Sequence, residues 1–279
     1  MATKMHPVAA KGFNAGAALY AIARPNYAPA AVSSLIAQIQ NAAKQGEEQK
    51  QPLVLELGSG TGIFSRHLLN AFGSSNVRFI EPAEGMRAEF NASVGVEFGV
   101  TAQDGMANAT GLPDASVDAV VCAQAFHWFA DAPTIREFRR ILRPNGLLAL
   151  IWNLEDPTRA DWVAKVRTVY EQHELGTPQY RLGLWRAIFN PSKSPETAQV
   201  FKLPLREEHF NHAFVAPGGL DAIWNRIHSK SYILTMDSET REKLKAQVFA
   251  VLKESDVELD ANGNVVYPYV TDLYTSIAI

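Results

Sequence analysis

The chain has 279 residues, enough for one large domain or a core domain with a smaller cap, and its 47% hydrophobic and 20% charged residues are typical of globular proteins. Its 26 lysines and arginines against 29 aspartates and glutamates give a formal charge of −3, which provides no basic excess for a nucleic-acid partner. No apolar run is long enough to span a membrane, no secretory signal follows Met1, and Cys122 is the only cysteine, so we expect a cytoplasmic protein with neither a membrane partner nor an intrachain disulfide.

The first predicted elements lie within residues 1–50, a segment that we expect to be helical. A Tyr-x-x-x-Arg-Pro-x-Tyr pattern begins at Tyr20 and includes Arg24, and a helix is expected over about 30–43. Arginine can hold a carboxylate through two parallel hydrogen bonds. Arg24 is therefore either a ligand-binding residue or an anchor that ties this arm to the rest of the chain. The polar residues 45–51 are interpreted as a linker.

Residues 54–62, Val-Leu-Glu-Leu-Gly-Ser-Gly-Thr-Gly, form the most informative run in the chain. They predict a buried strand that contains Glu56, followed by glycines two residues apart at Gly58, Gly60 and Gly62, before an amphipathic helix. Glycines let the backbone approach a ligand closely and adopt φ > 0, and free N–H groups at a helix N-terminus favour a carboxylate or a phosphate. This segment therefore predicts a site for a nucleotide-sized ligand.

Several observations distinguish among nucleotide ligands. Ile63 occupies the position where a dinucleotide fingerprint has its third glycine, and no lysine between Gln51 and Phe72 could complete a triphosphate-binding loop. Glu56 would repel a polyphosphate and suits a cationic ligand. The Glu-x-Gly-x-Gly-x-Gly pattern from Glu56 to Gly62 resembles motif I of the class I S-adenosylmethionine (SAM) methyltransferases, whose cofactor carries a sulfonium and an ammonium. A structural turn in another α/β protein is the alternative.

Segments downstream of the glycines follow the order found in these methyltransferases. A second strand is predicted to end at Glu81, about 20 residues beyond the glycines, where open α/β sheets hold ribose hydroxyls, although Glu81 can also be a surface acid. The segment that begins Asn108-Ala109 and ends Leu-Pro resembles the family's Asp-Ala-x-x-Leu-Pro, which recognises adenine through a side chain and a backbone N–H. Asn108 replaces the aspartate, and its amide oxygen can still accept from an amine. A third strand is predicted over 116–122.

A helix ending near Arg143, a Pro-Asn-Gly turn and an apolar strand over 147–152 complete the pattern, so the resemblance covers about 52–153. It implies an α/β fold with a Rossmann-like, mostly parallel sheet flanked by helices, an antiparallel C-terminal strand, an N-terminal helical lid and a helical cap. The implied SAM contacts of the core are Glu56, Gly58, Ser59, Gly60, Gly62, Glu81, Met86, Asn108, Ala109 and Gln124.

The expected organisation is a lid over 1–50, a SAM-binding core over 51–153 and, over 154–279, a cap with the final strands, belonging to the same catalytic domain. The Tyr-x-x-x-Arg-Pro pattern is similar to the lid of a subgroup that includes trans-aconitate-type small-molecule methyltransferases. In that subgroup the lid folds over the cofactor, with its tyrosine and arginine near the methionine carboxylate. Tyr20 and Arg24 inherit this role by resemblance.

The segment Gln-Ala-Phe-His-Trp-Phe over 124–129 directly follows the third predicted strand, and open α/β sheets bind ligands beyond the carboxyl ends of their strands. The same subgroup has a very similar Ala-x-His-Trp-Phe at this point. His127 is either a general base or polar contact for the methyl acceptor, or a residue that fixes the loop through hydrogen bonds. Trp128 and Trp152 are candidate substrate contacts, and core packing is the alternative for such aromatic side chains.

Beyond residue 153 the parallel pattern stops, and 154–262 is interpreted mainly as the helical cap. Helices are expected over 161–173, 221–232 and 238–253, and strands over 201–214 and 267–279. Positive side chains that can hold an anionic substrate, or can equally be surface charges, are Arg181, Arg186, Arg226 and Lys230. His209 and His212 lie three residues apart on a predicted strand and so face opposite sides, which argues against a metal site. Glu155-Asp156 is interpreted as a loop rather than a catalytic pair.

These features predict a SAM-dependent methyltransferase without a metal, monomeric or homodimeric, that methylates a small-molecule acceptor and releases S-adenosylhomocysteine (SAH). A carboxylate acceptor, giving a methyl ester, is preferred on the resemblance to the trans-aconitate-type subgroup. The alternatives are methylation of a hydroxyl, thiol or nitrogen of a secondary metabolite, a SAM-fold protein with a non-methylating activity, and a protein-binding module that has lost the cofactor. A carboxylate is ionised at pH 7 and needs no base, whereas a hydroxyl does, so the role of His127 bears on the acceptor class.

Overall fold

The computed structural model of the protein describes residues 5–44, 51–174 and 176–279. Its strands form a seven-stranded sheet in the order β3-β2-β1-β4-β5-β7-β6. They are β1 (Val54–Leu57), β2 (Val77–Ile80), β3 (Ala102–Gln103), β4 (Val117–Ala123), β5 (Leu142–Glu155), β6 (Arg206–Ala216) and β7 (Val265–Ile277). The helices are α1 (Pro7–Ala23), α2 (Pro29–Ala43), α3 (Ser65–Phe72), α4 (Glu84–Phe90), α5 (Val96–Phe98), α6 (Ala132–Ile141), α7 (Asp161–Glu171), α8 (Pro195–Ala198), α9 (Leu220–His228), α10 (Ser231–Leu234) and α11 (Ser238–Lys253).

The direction of the strands creates the crevice of the fold. Neighbouring strands from β3 to β5 run parallel, and β7 lies antiparallel between β5 and β6. The chain proceeds from β1 to β2 and β3 on one side and then returns to place β4 on the other side, with Val54 of β1 paired to both Val77 and Ala119. Because strand order reverses between β1 and β4, a crevice opens beyond their carboxyl ends.

Apolar side chains cover both faces of this sheet and fill the space among α7, α9, α10 and α11, the helices that we call the cap. One face packs against α2, α3 and α4 through side chains such as Leu35, Leu68 and Phe90, each fully buried. The opposite face carries an aromatic cluster that includes Phe126 and Trp152. A third cluster joins α7, α9, α10 and α11 to the end of β7. Burial on this scale, at roughly 25 cal/mol per Å² of apolar surface, is the main stabilising term of the fold.

The predicted fold class is confirmed, down to a parallel sheet with helices on both faces and an antiparallel β7. Helix α11 has the predicted bounds, and α2 begins within one residue of its predicted start. His209 and His212 both lie on β6, as expected. Residues 45–50 of the predicted linker lie outside the described residues. None of the helices in the described part of the chain is both long and apolar enough to cross a membrane.

Four local predictions were wrong. Strand β3 was missed because two residues are too few to show an alternating pattern. Strand β5 begins at Leu142 rather than Leu147, because the Pro-Asn-Gly segment forms an irregular step in the pairing with β4 rather than a separate turn. The helix predicted over 221–232 is divided into α9 and α10 by extended backbone at Lys230. Strand β6 begins at Arg206, two residues after Pro204, which has no backbone N–H for a ladder.

Candidate active site

The glycine loop between β1 and α3 turns with positive φ at Gly58, Gly60 and Gly62, a conformation that glycine adopts without strain. The Gly58 N–H donates to the Ile80 carbonyl oxygen at 2.8 Å, which fixes the loop to the end of β2. A Cβ at Gly62 would lie 2.5 Å from Val94 Cγ2, so this glycine is required for packing. A Cβ at Gly60 would have no neighbour within 4 Å and would enter the cleft that Gly60 lines.

Glu81 follows β2 and is 6% exposed. Its Oε2 accepts from the Gly60 N–H at 2.9 Å, and its Oε1 accepts from the Ala83 N–H at 2.8 Å. Burial raises the pKa of Glu81, and these two N–H groups oppose the rise. Because each carboxylate oxygen has a second lone pair, Glu81 can accept two further hydrogen bonds from a ligand in the cleft. Two adjacent hydroxyls, as on a ribose, match this arrangement.

Glu56 lies within β1 and is 1% exposed. Ser65 Oγ donates to Glu56 Oε2 at 2.5 Å. Burial raises the pKa of Glu56 to about 8, and the charge of Glu81 adds to the rise while the Ser65 hydroxyl opposes it. A buried carboxylate is costly unless a cation accompanies it. The environment of Glu56 therefore suits a ligand that brings a positive charge.

The cleft beyond β1 and β4 consists of three cavities that share Tyr20 and Gln124 in their walls. The broad chamber, of about 870 Å³, lies between α1 and the glycine loop. The glycine chamber, of about 450 Å³, lies around Glu56 and Arg24. The cap chamber, of about 640 Å³, extends from His127 to α9 and α10. The cleft thus extends from α1 across the glycine loop to α9 and α10.

Most of the predicted SAM contacts border these chambers. The broad chamber is lined by Gly58, Gly60, Glu81, Met86, Asn108 and Gln124, and by Met5, His6 and Phe13 from the N-terminal segment. Ser59 borders the glycine chamber, and its buried hydroxyl has no hydrogen-bond partner among the described residues. The structure thus brings together residues from β1, β2, β4 and the N-terminal helix.

Gly62 and Ala109, which were also predicted to contact SAM, do not line any of the three chambers. Gly62 faces Val94, and the Ala109 N–H donates to the Met106 carbonyl oxygen at 3.0 Å. Met106 and Ala107 line the broad chamber instead, although no sequence pattern pointed to them. Their position depends on the local turn between Met106 and Ala109, which the Asn-Ala-x-x-Leu-Pro pattern does not reveal.

Arg24 joins the N-terminal segment to the cap. Its Nε donates to Ser229 Oγ at 2.8 Å and its Nη2 donates to the Ser229 carbonyl oxygen at 2.9 Å. The guanidinium lies 4.4 Å from the centroid of the Tyr20 ring. Burial, followed by repulsion from Arg226, lowers the pKa of Arg24. Arg24 is therefore an anchor, and it also lines both the glycine and the cap chambers, where it can hold an anionic group.

Gln124 lines all three chambers, and Asn153 lines the glycine and cap chambers. Gln124, at the carboxyl end of β4, has φ +56, and its Nε2 donates to the Asn153 carbonyl oxygen at 2.8 Å. The Asn153 Nδ2 donates to the Asn26 carbonyl oxygen at 3.0 Å, while its Oδ1 accepts from Thr271 Oγ1 at 2.6 Å. These bonds join β4, β5, β7 and the N-terminal segment at a single point of the cleft.

His127 borders the cap chamber and is held by Trp152. The indole Nε1–H of Trp152 donates to His127 Nδ1 at 3.1 Å. Burial, together with the charge of Arg24, lowers the pKa of His127 to about 3. The imidazole is therefore neutral at pH 7, and because Nδ1 accepts a hydrogen bond its proton is on Nε2. Trp152 is fully buried and contacts the wall of the cap chamber at His127 and at Tyr180, whose ring stacks on the indole with 4.4 Å between the centroids. Trp128 lines both the broad and the cap chambers.

The cap chamber contains a buried ion cluster that overturns two interpretations of the sequence. Glu155 is the last residue of β5 rather than part of a loop, and its Oε1 lies 2.7 Å from Arg226 Nη2 and 3.3 Å from Lys230 Nζ. The side chains of Arg226 and Lys230 are 3% and 12% exposed, so they are not surface charges. Burial opposes ionisation of Glu155, but the two cations more than offset it and lower its pKa. Burial lowers the pKa of Lys230 to about 7, although Glu155 opposes this shift.

The other two predicted cations have different surroundings. Arg181 lines the cap chamber and pairs with Glu171 at 3.0 Å and with Glu174 at 2.5 Å. The side chain of Arg186 is 46% exposed and pairs with Glu207, outside the chamber. Within the described ranges, no three His, Cys, Asp or Glu side chains lie close enough together to hold a metal ion.

Comparison with known proteins assigns the family. The model of a family described as "Methyltransferase domain" matches residues 55–150. An uncharacterised methyltransferase of Mycobacterium tuberculosis is 30% identical over 260 residues, which cover 93% of this chain and 92% of that protein. The chain belongs to the class I SAM-dependent methyltransferases. The present chain is also 28% identical, over 246 residues, to an uncharacterised methyltransferase-like protein of Schizosaccharomyces pombe. The matched residues cover 87% of the present chain and 86% of that protein. The YcgJ protein from Bacillus subtilis has the same fold, with a TM-score of 0.50 at 21% identity over 86% of this chain and 97% of that chain.

The residues present fit the cofactor that this family uses. The sulfonium and ammonium of SAM require anionic surroundings, and Glu56 is a buried carboxyl that suits a cation. The carboxylate of Glu81 has two lone pairs available for ribose hydroxyls. The open space beside Gly60 admits the cofactor close to the backbone.

The open space beside Gly60 leads to a prediction for two alanine substitutions. We expect Gly60→Ala to weaken SAH binding by more than about tenfold, because the new methyl group enters the cleft, while φ +57 costs only about 1–2 kcal/mol of stability. Gly62→Ala is the matched variant: its methyl group meets Val94 and Phe90, so it lowers the melting temperature more than Gly60→Ala does. Calorimetric titration and thermal unfolding measure both effects. Equal SAH affinity of the Gly60→Ala variant and the wild type would contradict the placement.

Proposed function

We propose that this methyltransferase transfers the methyl group of SAM to a carboxylate of a small molecule and so produces a methyl ester. The observation that carries the proposal is the state of His127, whose pKa of about 3 and occupied Nδ1 make it a poor base. A hydroxyl or phenol acceptor needs a base to remove its proton, whereas a carboxylate is already ionised at pH 7. Arg24, Arg226 and Lys230 in the wall of the cap chamber are consistent with an anionic acceptor.

The cofactor is proposed to lie across the broad and glycine chambers. Glu56 binds its ammonium, Arg24 its carboxylate, and Glu81 its ribose hydroxyls. Met86 and Asn108 contact the adenine end of the broad chamber, and the other predicted SAM contacts that support this placement are Tyr20, Gly58, Ser59, Gly60 and Gln124. SAM supplies an electrophilic methyl group. The protein then contributes mainly by positioning the acceptor oxygen in line with that group.

His127 is proposed to donate a hydrogen bond from Nε2 to the acceptor rather than to remove a proton. Trp152 fixes this tautomer through its bond to Nδ1. Trp128, in the wall shared by the broad and cap chambers, is proposed to contact the acceptor. In this arrangement His127 orients the carboxylate, and Trp152 positions His127 without lining the chamber itself.

Substitution of His127 tests the acceptor class. We expect His127→Ala to slow methyl ester formation by about tenfold, the loss of one hydrogen bond to a charged group. Trp152→Phe is the matched variant: it keeps an aromatic ring but removes the N–H that fixes the tautomer, together with part of the buried indole, so its melting temperature is measured as well. It should have a smaller effect of the same kind. Transfer of labelled methyl groups to a panel of acids, phenols, amines and thiols measures both. A loss of more than about 10³-fold for His127→Ala would indicate general base catalysis and contradict the donor role.

A hydroxyl acceptor is the second candidate, and the environment of Lys230 favours it. A lysine whose pKa is lowered to about 7 is deprotonated in half of the molecules at neutral pH and can remove a proton from a phenol. In that case the label from the panel appears in a phenol rather than in an acid, and Lys230→Met abolishes the transfer.

A further inference from the structure

The charged side chains in the wall of the cap chamber balance one another. They are Arg24, Arg181, Arg226, Lys230, Glu155, Glu171 and Glu174. In the proposed arrangement Arg24 neutralises the carboxylate of the cofactor. Glu155 Oε1 lies 2.7 Å from Arg226 Nη2 and 3.3 Å from Lys230 Nζ, and the two other carboxylates pair with Arg181. Three carboxylates thus face three cations, and buried charges are tolerated when they are paired in this way.

The sulfonium of SAM then sets the charge of the acceptor. In the proposed site Glu56 neutralises the ammonium and Arg24 the carboxylate of SAM, and no carboxylate is assigned to the sulfonium. A single carboxylate on the acceptor balances it. In the transfer that carboxylate oxygen bonds to the methyl carbon, and the electron pair of the broken methyl–sulfur bond stays on sulfur, so both charges disappear. A second anionic group would meet only cations that are already paired among the described lining residues, and burying it would be costly.

Polar groups of the same wall have unused hydrogen-bonding capacity of both kinds. Arg226 donates Nε to Tyr269 Oη at 2.8 Å, but its Nη1 is buried and has no hydrogen-bond partner among the described residues. The hydroxyl of Tyr232 is likewise buried without a partner in the described part of the chain. Glu174 binds Arg181 through both carboxylate oxygens, and each of these oxygens retains a second lone pair. The wall therefore offers both donors and acceptors to a ligand.

Hydroxyl groups are the ligand groups that match such a wall. A hydroxyl donates one hydrogen bond and also accepts, whereas a carboxylate only accepts and an ammonium only donates. Burial, followed by the charge of Glu174, raises the pKa of Tyr232, so this side chain stays a neutral hydroxyl. A ligand hydroxyl can therefore accept from Arg226 or Tyr232 and donate to Glu174. Because native proteins seldom leave buried polar groups unsatisfied, a hydroxylated ligand suits this end of the chamber.

Aromatic rings provide the apolar part of the chamber. Tyr180 stacks on Trp152 with 4.4 Å between the ring centroids, and its hydroxyl donates to Asp272 at 2.5 Å, which fixes the ring in place. Trp128 lies edge-on to Phe13, with 5.9 Å between the centroids, and both rings line the chamber. Binding sites for small molecules combine such apolar walls with a few polar groups. The C–H groups of a hydroxylated chain or ring can pack on these aromatic side chains.

We propose that the acceptor has one carboxylate and several hydroxyl groups, as a sugar acid does. The carboxylate is methylated beside His127, and the hydroxyls bind to Arg226, Tyr232 and Glu174. This inference rests on the proposed function, which supplies the carboxylate and its position. It excludes a second anionic group on the acceptor, and it identifies Tyr232 as a specificity-determining residue that acts on binding and not on methyl transfer.

Matched acids of equal chain length separate the effect of hydroxyls from the effect of a second charge. The six-carbon set consists of hexanoate, adipate, gluconate and glucarate: the last two carry hydroxyls, and only adipate and glucarate carry a second carboxylate. The corresponding four- and five-carbon sets extend the test. Calorimetry measures their binding to the full-length protein saturated with an analogue of SAM in which an ammonium group replaces the sulfonium.

The expected result is a preference for hydroxyls and none for the second charge. At least one hydroxylated monocarboxylate should bind more than about tenfold tighter than its deoxygenated counterpart, because several hydrogen bonds to buried or charged groups add to its affinity. The hydroxylated diacid of the same length should bind no tighter than that monocarboxylate.

Two tyrosine variants test the position of the hydroxyl subsite. Tyr232→Phe removes only the unpartnered hydroxyl and should reduce the preference for the hydroxylated acid by about three- to tenfold. Tyr170→Phe is the matched control, because the Tyr170 hydroxyl is also buried without a partner among the described residues, but Tyr170 does not line the cap chamber. Its preference should equal that of the wild type. SAH affinity and melting temperature show that each variant is folded.

Three outcomes overturn the inference. In the first, no hydroxylated acid binds tighter than its deoxygenated counterpart at any chain length, including the case in which no acid binds. In the second, a diacid binds more than about tenfold tighter than the monocarboxylate that matches it. In the third, the preference is unchanged in Tyr232→Phe.

The methylated product separates this inference from the proposed function. Methyl ester formation on plain monocarboxylates, without any preference for hydroxylated ones, removes the hydroxyl subsite and keeps the proposed function. Tight binding of a hydroxylated acid that receives no methyl group on its carboxylate has the opposite meaning, because the hydroxyl subsite then stands and the carboxylate reaction fails.

Discussion

Glu56→Gln is expected to weaken SAH binding by about 10²–10³-fold while the protein remains folded. In the proposed site the buried carboxylate of Glu56 pairs with the cofactor ammonium, and removing one partner of a buried pair costs about 3–5 kcal/mol. Glutamine has the same shape and can still accept from Ser65 Oγ, so the loss reports the charge. Calorimetric titration with SAH measures it. Glu97→Gln, which removes a surface carboxylate, is the matched control and should bind SAH normally.

The proton released by Glu56 on SAH binding provides a second test of the same variant. With its pKa at about 8, Glu56 is mainly protonated at pH 7 in the unliganded protein, and binding of an ammonium should expel that proton. Titrations in buffers of different ionisation enthalpy should therefore show proton release at pH 7 for the wild type and less for Glu56→Gln. Identical proton release by the two proteins would argue against the ammonium pair.

Glu56→Gln should weaken SAH binding but raise the stability of the unliganded protein at pH 8. Because burial raises the pKa of Glu56 from 4.5 to about 8, the folded state holds this proton more tightly than the unfolded chain. The resulting stabilisation is complete below pH 4.5 and is lost as the pH rises to about 8. Glutamine does not ionise, so Glu56→Gln should have a higher melting temperature than the wild type at pH 8. The Glu56 carboxylate thus lowers the stability of the unliganded protein, and in the proposed site it stabilises the complex with the cofactor.

The second large effect concerns the ion pair between the cap and the sheet. Arg226→Met should lower the free energy of unfolding by about 3–5 kcal/mol, because it leaves Glu155, whose side chain is 2% exposed, without its nearest cation. The double variant Arg226→Met/Glu155→Met should recover part of this loss, since two apolar side chains replace two buried charges, while Lys230 loses the carboxylate that it contacts. Urea unfolding of the four members of the cycle measures the coupling.

The outcome of the cycle separates a structural pair from an acceptor-binding pair. If the double variant is stable and binds SAH as the wild type does but no longer methylates the acid acceptor, the pair serves the acceptor. Additive losses in the cycle would contradict the close pairing of Arg226 with Glu155. Arg140→Met, which breaks the more exposed pair with Glu137, is a matched control with a smaller expected loss.

The parts of the site that could be predicted from the sequence are those encoded by neighbouring residues. The strand, Glu56 and the glycines lie within nine residues. Glu81 follows from the rule that ligands bind beyond the carboxyl ends of parallel strands. His127 was selected for the same reason, and it does border the cap chamber. What its position could not reveal is the tautomer, which depends on Trp152 of a neighbouring strand.

The rest depends on contacts between distant segments. Glu155 ends β5 and Arg226 lies on α9, so nothing near either residue signals their pairing, and each resembles an ordinary surface charge. The N-terminal segment shows the same problem, because its anchor Ser229 lies 205 residues from Arg24. The resemblance to the family's Asp-Ala-x-x-Leu-Pro segment pointed to Ala109, whereas the local turn presents Met106 and Ala107 to the chamber. Tertiary packing decides these positions.

Transfer of an isotopically labelled methyl group from SAM to dicarboxylates and monocarboxylates, followed by mild alkali, shows whether the acceptor is a carboxylate. We expect label in a product that alkali hydrolyses to labelled methanol, as methyl esters do and ethers or methylamines do not. We also expect Glu56→Gln to abolish the transfer under the same conditions. Label that remains in an alkali-stable product would contradict the proposed carboxylate acceptor.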